Sequence, residues 1–363
     1  MNTNKSLPSR YYLDPEIHEK EKSKILYTNW HYVGHVSQVA NPGDYLTLQL
    51  GDESLIVIRG GDDVLRGFFN VCRHRAHILL EGKGNVKSIT CPYHAWNYSR
   101  DGELRHAGNA DKMIDFDKSE YCLSGFQVET ICDFIFVNLD KNATPLNNQA
   151  NGFEKDLRQR VPFLDRLKPL QYDTGRPFSI NANWKIIVDN FLECYHCKKA
   201  HPAFVDLIDM DQYETKIYDI WSRQYAADAN LENKAYKFDK HASVQDMCFW
   251  FLWPTTALGY LPGIEALFFS AILPDSVDKT TRFGHWLVAN DTPLPDNFNN
   301  YMNNVLFIED IDICESVQKG LGSKSYDQGP FMIDPNHSGI SEIAIQHFHG
   351  LIKQSLGDID GNV

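Results

Sequence analysis

The sequence predicts an α+β chain in two parts, a small β-rich domain followed by a larger one that mixes strands with helices. Three observations point there. Residues 45–71 read as closely spaced strands: "YLTLQL" alternates apolar and polar positions, and "SLIVIR" and "LRGFFNV" flank the turn-rich "GGDDV". A further strand, "FIFVNL", runs to Leu139, and the polar, turn-forming "DKNATPLNNQANG" at 140–152 follows it as a boundary. Beyond that boundary the pattern changes. "FEKDLRQRVPFL" is helical, a helix is expected over about 184–200, strands lie near "ALFFSAILP" and "RFGHWLVAN", and another helix is expected from about 297 to 321.

Composition narrows the function classes. With 363 residues, 43% of them apolar, the chain can bury one large or two ordinary cores. Its net charge of −13 disfavours a phosphate backbone, so no nucleic-acid partner is expected. The opening "MNTNKSLPSRYYLDP" has no apolar core of a signal peptide, and no run approaches the about 18 apolar residues of a membrane span. Eight cysteines in a chain this long do not read as a disulfide scaffold. A soluble, cytoplasmic protein with no membrane partner is the expectation.

The β-rich part contains "NVCRHRAHILLEGKGNVKSITCPYHAW". Cys72 and His74 form C-x-H; Cys91 and His94 form C-x-x-H. Two thiolates and two imidazoles could hold a tetrahedral zinc. They could equally hold a two-iron cluster, with both thiolates on one iron and both imidazoles on the other. One Cys and one His per loop suits the cluster, because each iron then takes one ligand from each loop. Such a cluster is an electron relay. His77 breaks the pairing and reads as loop packing, and Trp96 reads as a cover over the site.

The second constellation is "NWKIIVDNFLECYHCKKAHP". Trp184, Ile187, Val188, Phe191 and Tyr195 fall on one stripe of a helix, with Asp189, Glu193 and His196 opposite. His201 lies five residues past His196, about 140° round an ideal helix, but Pro202 biases it out of α geometry and lets the two imidazoles converge. Cys194 and Cys197 have no second C-x-x-C to complete a thiolate site and read as small buried apolar groups. Two histidines call for a third, hard ligand, the set of non-haem Fe(II) oxygenases. Candidates lie in "FIEDIDICESVQKGL". There Leu306, Ile313 and Val317 define a stripe with Glu309 and Asp310 within it or at its edge, while Asp312 and Glu315 turn away. Helical geometry alone does not choose between Glu309 and Asp310, and an acidic solvent-facing helix is the plain alternative.

With these residues on the page, Cys72-x-His74 … Cys91-x-x-His94 followed by Glu193-x-x-His196-x4-His201 resembles the oxygenase (α) subunit of Rieske non-haem iron oxygenases. The likeness runs from "NWHYVGHVSQVANPGDYLTL" to "HFHGLIKQ". "ANWKIIVDNFLECYHC", "EDIDICESVQKGL" and "SGISEIAIQHFH" are most similar to its quaternary-ammonium branch, the oxygenases of carnitine, choline and glycine betaine. The resemblance implies that residues 1–43 begin a catalytic domain, that 44–145 form a Rieske [2Fe–2S] domain inserted in it, and that 146–363 complete it. The catalytic domain is then a helix-grip, an antiparallel sheet plus helices. It implies a mononuclear Fe(II) on His196, His201 and Asp310, the family pattern E-D-x4-E selecting Asp310. Glu193 would bridge a Rieske histidine and an iron histidine, and the subunits would form a homotrimer. NAD(P)H and flavin would enter only through a partner reductase, since this sequence has no Gly-rich dinucleotide fingerprint.

The implied reaction uses O2 and reductase electrons to hydroxylate a C–H bond beside a quaternary ammonium group of a small cationic substrate, leading to C–N cleavage or N-demethylation. Such an ammonium has no N–H to donate, so aromatic faces would bind it. "FWFLWP" and its surroundings offer Tyr195, Trp250, Trp253, Tyr260 and Phe268, although rings this dense also read as ordinary core. The competing expectations are an aromatic-ring-hydroxylating enzyme of the same fold, a Rieske electron-transfer protein without catalysis, and a zinc-structured binding module.

Overall fold

The computed structural model describes residues 4–170, 178–237, 239–289 and 294–358. It divides into two compact units, Leu26–Pro145 and the chain on either side of it.

The first unit is built on a seven-stranded antiparallel sheet. Its strands are β1 (His31–His35), β2 (Asp44–Leu50), β3 (Glu53–Arg59), β4 (Leu65–Phe69), β5 (Lys83–Asn85), β9 (Gly125–Ile131) and β10 (Phe134–Asn138), in the order β1-β10-β9-β4-β3-β2-β5. A second, three-stranded sheet holds β6 (Ile89–Thr90), β7 (Asn97–Tyr98) and β8 (Leu104–His106). The alternation in "YLTLQL" buries Leu46 and Leu50, whereas "FIFVN" is buried at all five positions, as an unbroken apolar run requires. The core between the sheets joins Ile56, Ile58 and Phe68 to Cys72, Cys91, Trp96 and Tyr98. The boundary expected at residue 44 is moved by this pairing. β1 bonds antiparallel to β10, so residues 26–43 belong to the β unit and not to the N-terminal part of the other.

The second unit is an antiparallel sheet with helices, the α+β layout expected. The strands are β11 (Leu167–Pro169), β12 (Phe178–Ile180), β13 (Tyr213–Ile217), β14 (Trp221–Ala226), β15 (Met247–Leu252), β16 (Thr256–Tyr260), β17 (Ala266–Ser276) and β18 (Lys279–Ala289). From β13 to β18 each strand pairs with the next, and β11 and β12 both pair with β18. Asn290, the last residue of the expected strand "RFGHWLVAN", lies outside the described residues. Helices Trp184–Phe191, Phe307–Leu321 and Ile343–Leu356 share one apolar core with this sheet, through Trp184, Ile187 and Val188, Cys314 and Leu321, and Phe348 and Ile352, against Phe251, Ala257 and Ile272.

Two expected helices are altered, both at the site. The helix expected over 184–200 starts at Trp184, where the Asn183 side chain accepts the Lys185 N–H at 3.0 Å, but it stops at Phe191. Beyond it the Cys194 N–H bonds to the distant Gly339 carbonyl, and the Glu193 carboxylate takes the N–H groups of Tyr195 and His196. These amides are thereby withdrawn from the helical ladder. Short helices then run over Cys197–Ala200 and Pro202–Leu207, with His201 at φ −122° between them. The helix expected over 297–321 is continuous but carries a π-turn, Met302–Leu306, one turn before Glu309 and Asp310. Such bulges reset which residues face a site.

Candidate metal centres

In the β unit the two cysteine–histidine loops have the same backbone design. The Cys72 N–H bonds to the His77 carbonyl at 2.9 Å and the Ala76 N–H to the Cys72 carbonyl at 3.0 Å. The Cys91 N–H bonds to the Trp96 carbonyl at 2.8 Å and the Ala95 N–H to the Cys91 carbonyl at 3.1 Å. Ala76 and Ala95, each four residues after its cysteine, both take positive φ, 53° and 54°. A repeated non-glycine strain of this kind marks a loop held for a purpose, and the sequence signal that would have found it is the shared C-x3-A.

The loops place their donors in two pairs. Cys72 and Cys91 are buried together, while the rings of His74 and His94 lie 4.7 Å apart at the surface. Burial raises the Cys91 thiol, and the adjacent Cys72 raises it further, so two neighbouring thiolates here need a cationic partner. The set fits a two-iron cluster, which Cys72, Cys91, His74 and His94 would hold. Trp96 stacks on His74 at 4.9 Å, in the covering position expected. Sequence reading missed Tyr98. Its hydroxyl accepts the Arg73 N–H at 3.0 Å and lies 3.3 Å from Cys72 Sγ, where it can donate to the sulfur and tune a cluster's potential.

In the other unit the structure brings His196, His201 and Asp310 together, their donor atoms all within 4.8 Å of one another. The two Nε2 atoms face each other at 3.2 Å, and His201 Nε2 is 2.9 Å from Asp310 Oδ1. Both Nδ1 atoms are held from behind: Glu193 Oε1 lies 2.5 Å from that of His196, and Glu309 Oε2 lies 2.7 Å from that of His201. With each Nδ1–H donating to a carboxylate, both Nε2 lone pairs and the Asp310 carboxylate converge on one point. Three acceptors cannot satisfy one another; a proton or a metal ion placed among them can. Burial disfavours a charged His196, yet hydrogen bonds to Asp310 and Glu193 outweigh it and raise its pKa to about 9. Burial likewise raises Asp310, and the two imidazoles overcome this, holding it at about 2. The arrangement fits a divalent ion on two histidines and a carboxylate.

This geometry separates the two acidic candidates. Asp310 turns to the convergence point and Glu309 to the back of His201. Asp189, placed with Glu193 by the helical wheel, turns elsewhere: it accepts from the Tyr12 hydroxyl at 2.7 Å and lies 2.9 Å from His349 Nε2. Cys194 and Cys197 form a disulfide that closes the turn carrying His196, so they are paired and not the independent small apolar groups expected.

A cavity of about 90 Å³ opens against the three converging side chains. It shares Phe191, Phe249, Arg282, Phe307 and Asp310 with a neighbouring cleft that adds Phe268 and Trp286. Of the five rings expected to meet substrate, Phe268 alone lines these spaces. Tyr195 is 50% exposed on the surface, because the chain leaves the helix before reaching it. Trp250 is buried with its Nε1–H donating to Asp156 at 2.7 Å, Trp253 packs on Phe348, and the buried Tyr260 donates its hydroxyl to Asp246 at 3.0 Å. Trp250, Trp253 and Tyr260 are core, and Phe191, Phe249, Phe307 and Trp286 take the wall positions.

Two family models match the chain: a Rieske [2Fe-2S] domain over residues 29–118 and the ring hydroxylating alpha subunit (catalytic domain) over residues 164–357. The carnitine monooxygenase oxygenase subunit of Escherichia coli (strain K12) is 38% identical over 360 residues, 97% of this chain and 94% of that protein. The chloroplastic choline monooxygenase of Amaranthus tricolor is 28% identical over 353 residues, 96% of this chain and 77% of that protein. Among solved structures, the quaternary ammonium Rieske monooxygenase CntA in complex with L-carnitine superposes with a TM-score of 0.86 at 35% identity, covering 98% of this chain and 97% of that one.

Proposed function

The chain belongs to the Rieske non-haem iron oxygenases, as an oxygenase subunit with a ring-hydroxylating alpha catalytic domain, and on that premise we propose that it hydroxylates a carbon beside a quaternary ammonium group. The product would break down by C–N cleavage or N-demethylation. The observation that carries the substrate class is the wall of the cavity at Asp310. Phe191, Phe249, Phe268 and Trp286 line it and the adjoining cleft beside the metal set. Aromatic faces are the means of holding a trimethylammonium head, which has no N–H to donate. The relatives named for carnitine and choline support the same class.

When bound, the [2Fe–2S] cluster supplies one-electron relay and the mononuclear Fe(II) supplies O2 activation. Cys72, Cys91, His74 and His94 would hold the first; His196, His201 and Asp310 would hold the second. Glu193 and Glu309 fix both imidazoles with Nε2 forward, so the donors stand ready before the metal arrives. Glu193 would also carry the coupling between a Rieske histidine and His196, across subunits of a homotrimer. The electrons would come from NAD(P)H through a separate flavin and iron–sulfur reductase. Among the described residues no helix is long and apolar enough to cross a membrane, and we place the enzyme in the cytoplasm.

The test is reductase-coupled O2 consumption over carnitine, γ-butyrobetaine, choline, glycine betaine and proline betaine, with amine and aldehyde products assayed. Trimethylamine release identifies C–N cleavage and formaldehyde identifies N-demethylation. Protein with full iron occupancy that ignores all five and converts an aromatic acid would overturn the reading.

A further inference from the structure

Among the described residues, Arg282 is a cation without an ion-pair partner in the cavity wall. It sits in the middle of β18, paired with Ile272 of β17 on one side and Phe178 of β12 on the other, so its backbone is held by strands at both edges. Its side chain lines both the cavity at the metal set and the adjoining aromatic cleft. The guanidinium stacks over the Phe307 ring at 4.6 Å, and its Nε–H donates to Ser270 Oγ at 3.3 Å. Among the described residues no carboxylate forms a salt bridge with it, and neither terminal nitrogen has a hydrogen-bond partner. The other buried strand arginine, Arg223, is matched by Asp156 and Glu214.

An unmatched guanidinium in a half-enclosed site is costly unless a ligand completes it. Burial lowers the Arg282 pKa to about 10 while the charge of Asp310 acts the other way, so the group remains cationic at neutral pH. Asp310 is already committed to His201 and the metal set. A divalent ion there, carrying one carboxylate and two neutral imidazoles, leaves a further net positive charge beside Arg282. A bare ammonium alcohol would add a third cation to this space. A compound with both an ammonium and a carboxylate would add none, and its carboxylate matches the fork of donors that Arg282 leaves open.

We propose that Arg282 binds the carboxylate of the substrate, and so selects trimethylammonium carboxylates over ammonium alcohols of the same length. The inference rests on the reading of this site as a quaternary-ammonium oxygenase and narrows it. The aromatic wall takes the head and Arg282 the tail, which fixes the direction in which the substrate lies across the metal set.

Two matched pairs test it: glycine betaine against choline, and γ-butyrobetaine against 4-(trimethylammonio)butan-1-ol, each with the iron-loaded holoenzyme and reductase. Wild type is expected to favour the acid of its accepted pair by about 10- to 100-fold in kcat/KM, the range of one charge-assisted hydrogen-bonded contact. In Arg282→Gln that ratio collapses toward one, with the loss carried by KM and by the anaerobic Kd for the acid. Arg282→Lys, which keeps the charge, retains part of the preference and serves if the glutamine variant does not fold. Rieske absorbance and iron content report the integrity of each variant. An unchanged ratio in Arg282→Gln, or equal losses on acid and alcohol, would overturn the role of Arg282. A wild type that turns over neither member of either pair, nor carnitine or proline betaine, would overturn the quaternary-ammonium reading itself, which is a different result.

Discussion

Glu193 Oε1 lies 2.5 Å from His196 Nδ1, and the other oxygen of the same carboxylate receives the backbone N–H of His196 at 3.2 Å. One side chain therefore ends the helix and aims the imidazole that the ended helix presents. The broken backbone is part of the metal set, because a straight helix would hold His196 and His201 about 140° apart.

Replacing Glu193 separates these duties. Glu193→Ala removes both the helix stop and the partner of Nδ1, and is expected to lower turnover by about 10- to 100-fold. Glu193→Gln keeps an oxygen for the Nδ1–H and loses the charge, so it should fall between. Coupled O2 consumption measures the rate, and an unchanged Rieske spectrum shows that the β unit is intact. Equal activity in all three proteins would remove Glu193 from the site.

Asp310 and Glu309 are neighbours with different tasks, and iron content should tell them apart. Asp310→Ala leaves two neutral imidazoles, and the mononuclear iron is expected to be lost while the two irons of the Rieske cluster stay. Glu309→Gln leaves the donor set complete but weakens the anchor on His201 Nδ1, for an expected loss of about tenfold in iron affinity. Metal analysis after dialysis against a weak chelator measures both. Iron retention in the aspartate variant with loss in the glutamate variant would reverse the assignment.

The sequence made the donor sets legible because ligand chemistry needs particular residue types at short spacing. The four Rieske donors and the two histidines could be read for that reason. The choice between Glu309 and Asp310 could not, since both lie near one helix face and the π-turn at 302–306 shifts the register upstream of them. The helix break after Phe191 was equally hidden: "NFLECYHC" contains neither proline nor glycine, and the break is made by Glu193 and by the distant Gly339 carbonyl. The substrate rings were misread for a simpler reason. Along β15 successive side chains face opposite ways, so Phe249 meets the cavity and Trp250 meets Asp156 on the other side. Arg282 drew no attention because a lone arginine in a strand has no motif; its missing partner is visible only in three dimensions.

Away from the site, Lys185 Nζ and Glu21 Oε1 form a fully buried ion pair at 2.6 Å, and Glu21 Oε2 also accepts the Trp184 Nε1–H at 2.9 Å. Burial lowers the Lys185 pKa and Glu21 acts against it. Lys185→Met strands a carboxylate in the core and is expected to cost about 3–5 kcal/mol. The double variant Glu21→Leu/Lys185→Met strands no charge, and its remaining cost, about 1–3 kcal/mol, is the Trp184 N–H left without an acceptor. Urea unfolding of the two variants checks this. A double variant less stable than the single one would mean that Glu21 is not stranded without Lys185 and still stabilises the core.

His31 gives the β unit an acid limit. Its ring is fully buried, Nε2–H donates to the Leu26 carbonyl at 2.7 Å, and burial lowers its pKa to about 4 despite that bond. The unfolded chain takes up a proton on this ring below its ordinary value near 6.5, whereas the folded chain does not until about 4. Stability from this group is thus present above about 6.5 and falls as pH drops toward 4, by ~3 kcal/mol at most. His31→Gln keeps an N–H for Leu26 and removes the titration. The expected outcome is a smaller fall in unfolding midpoint between pH 7.5 and pH 5 than in wild type, followed through the visible absorbance of the Rieske cluster. Parallel pH dependences in the two proteins would show that the His31 ring is not held neutral by its burial.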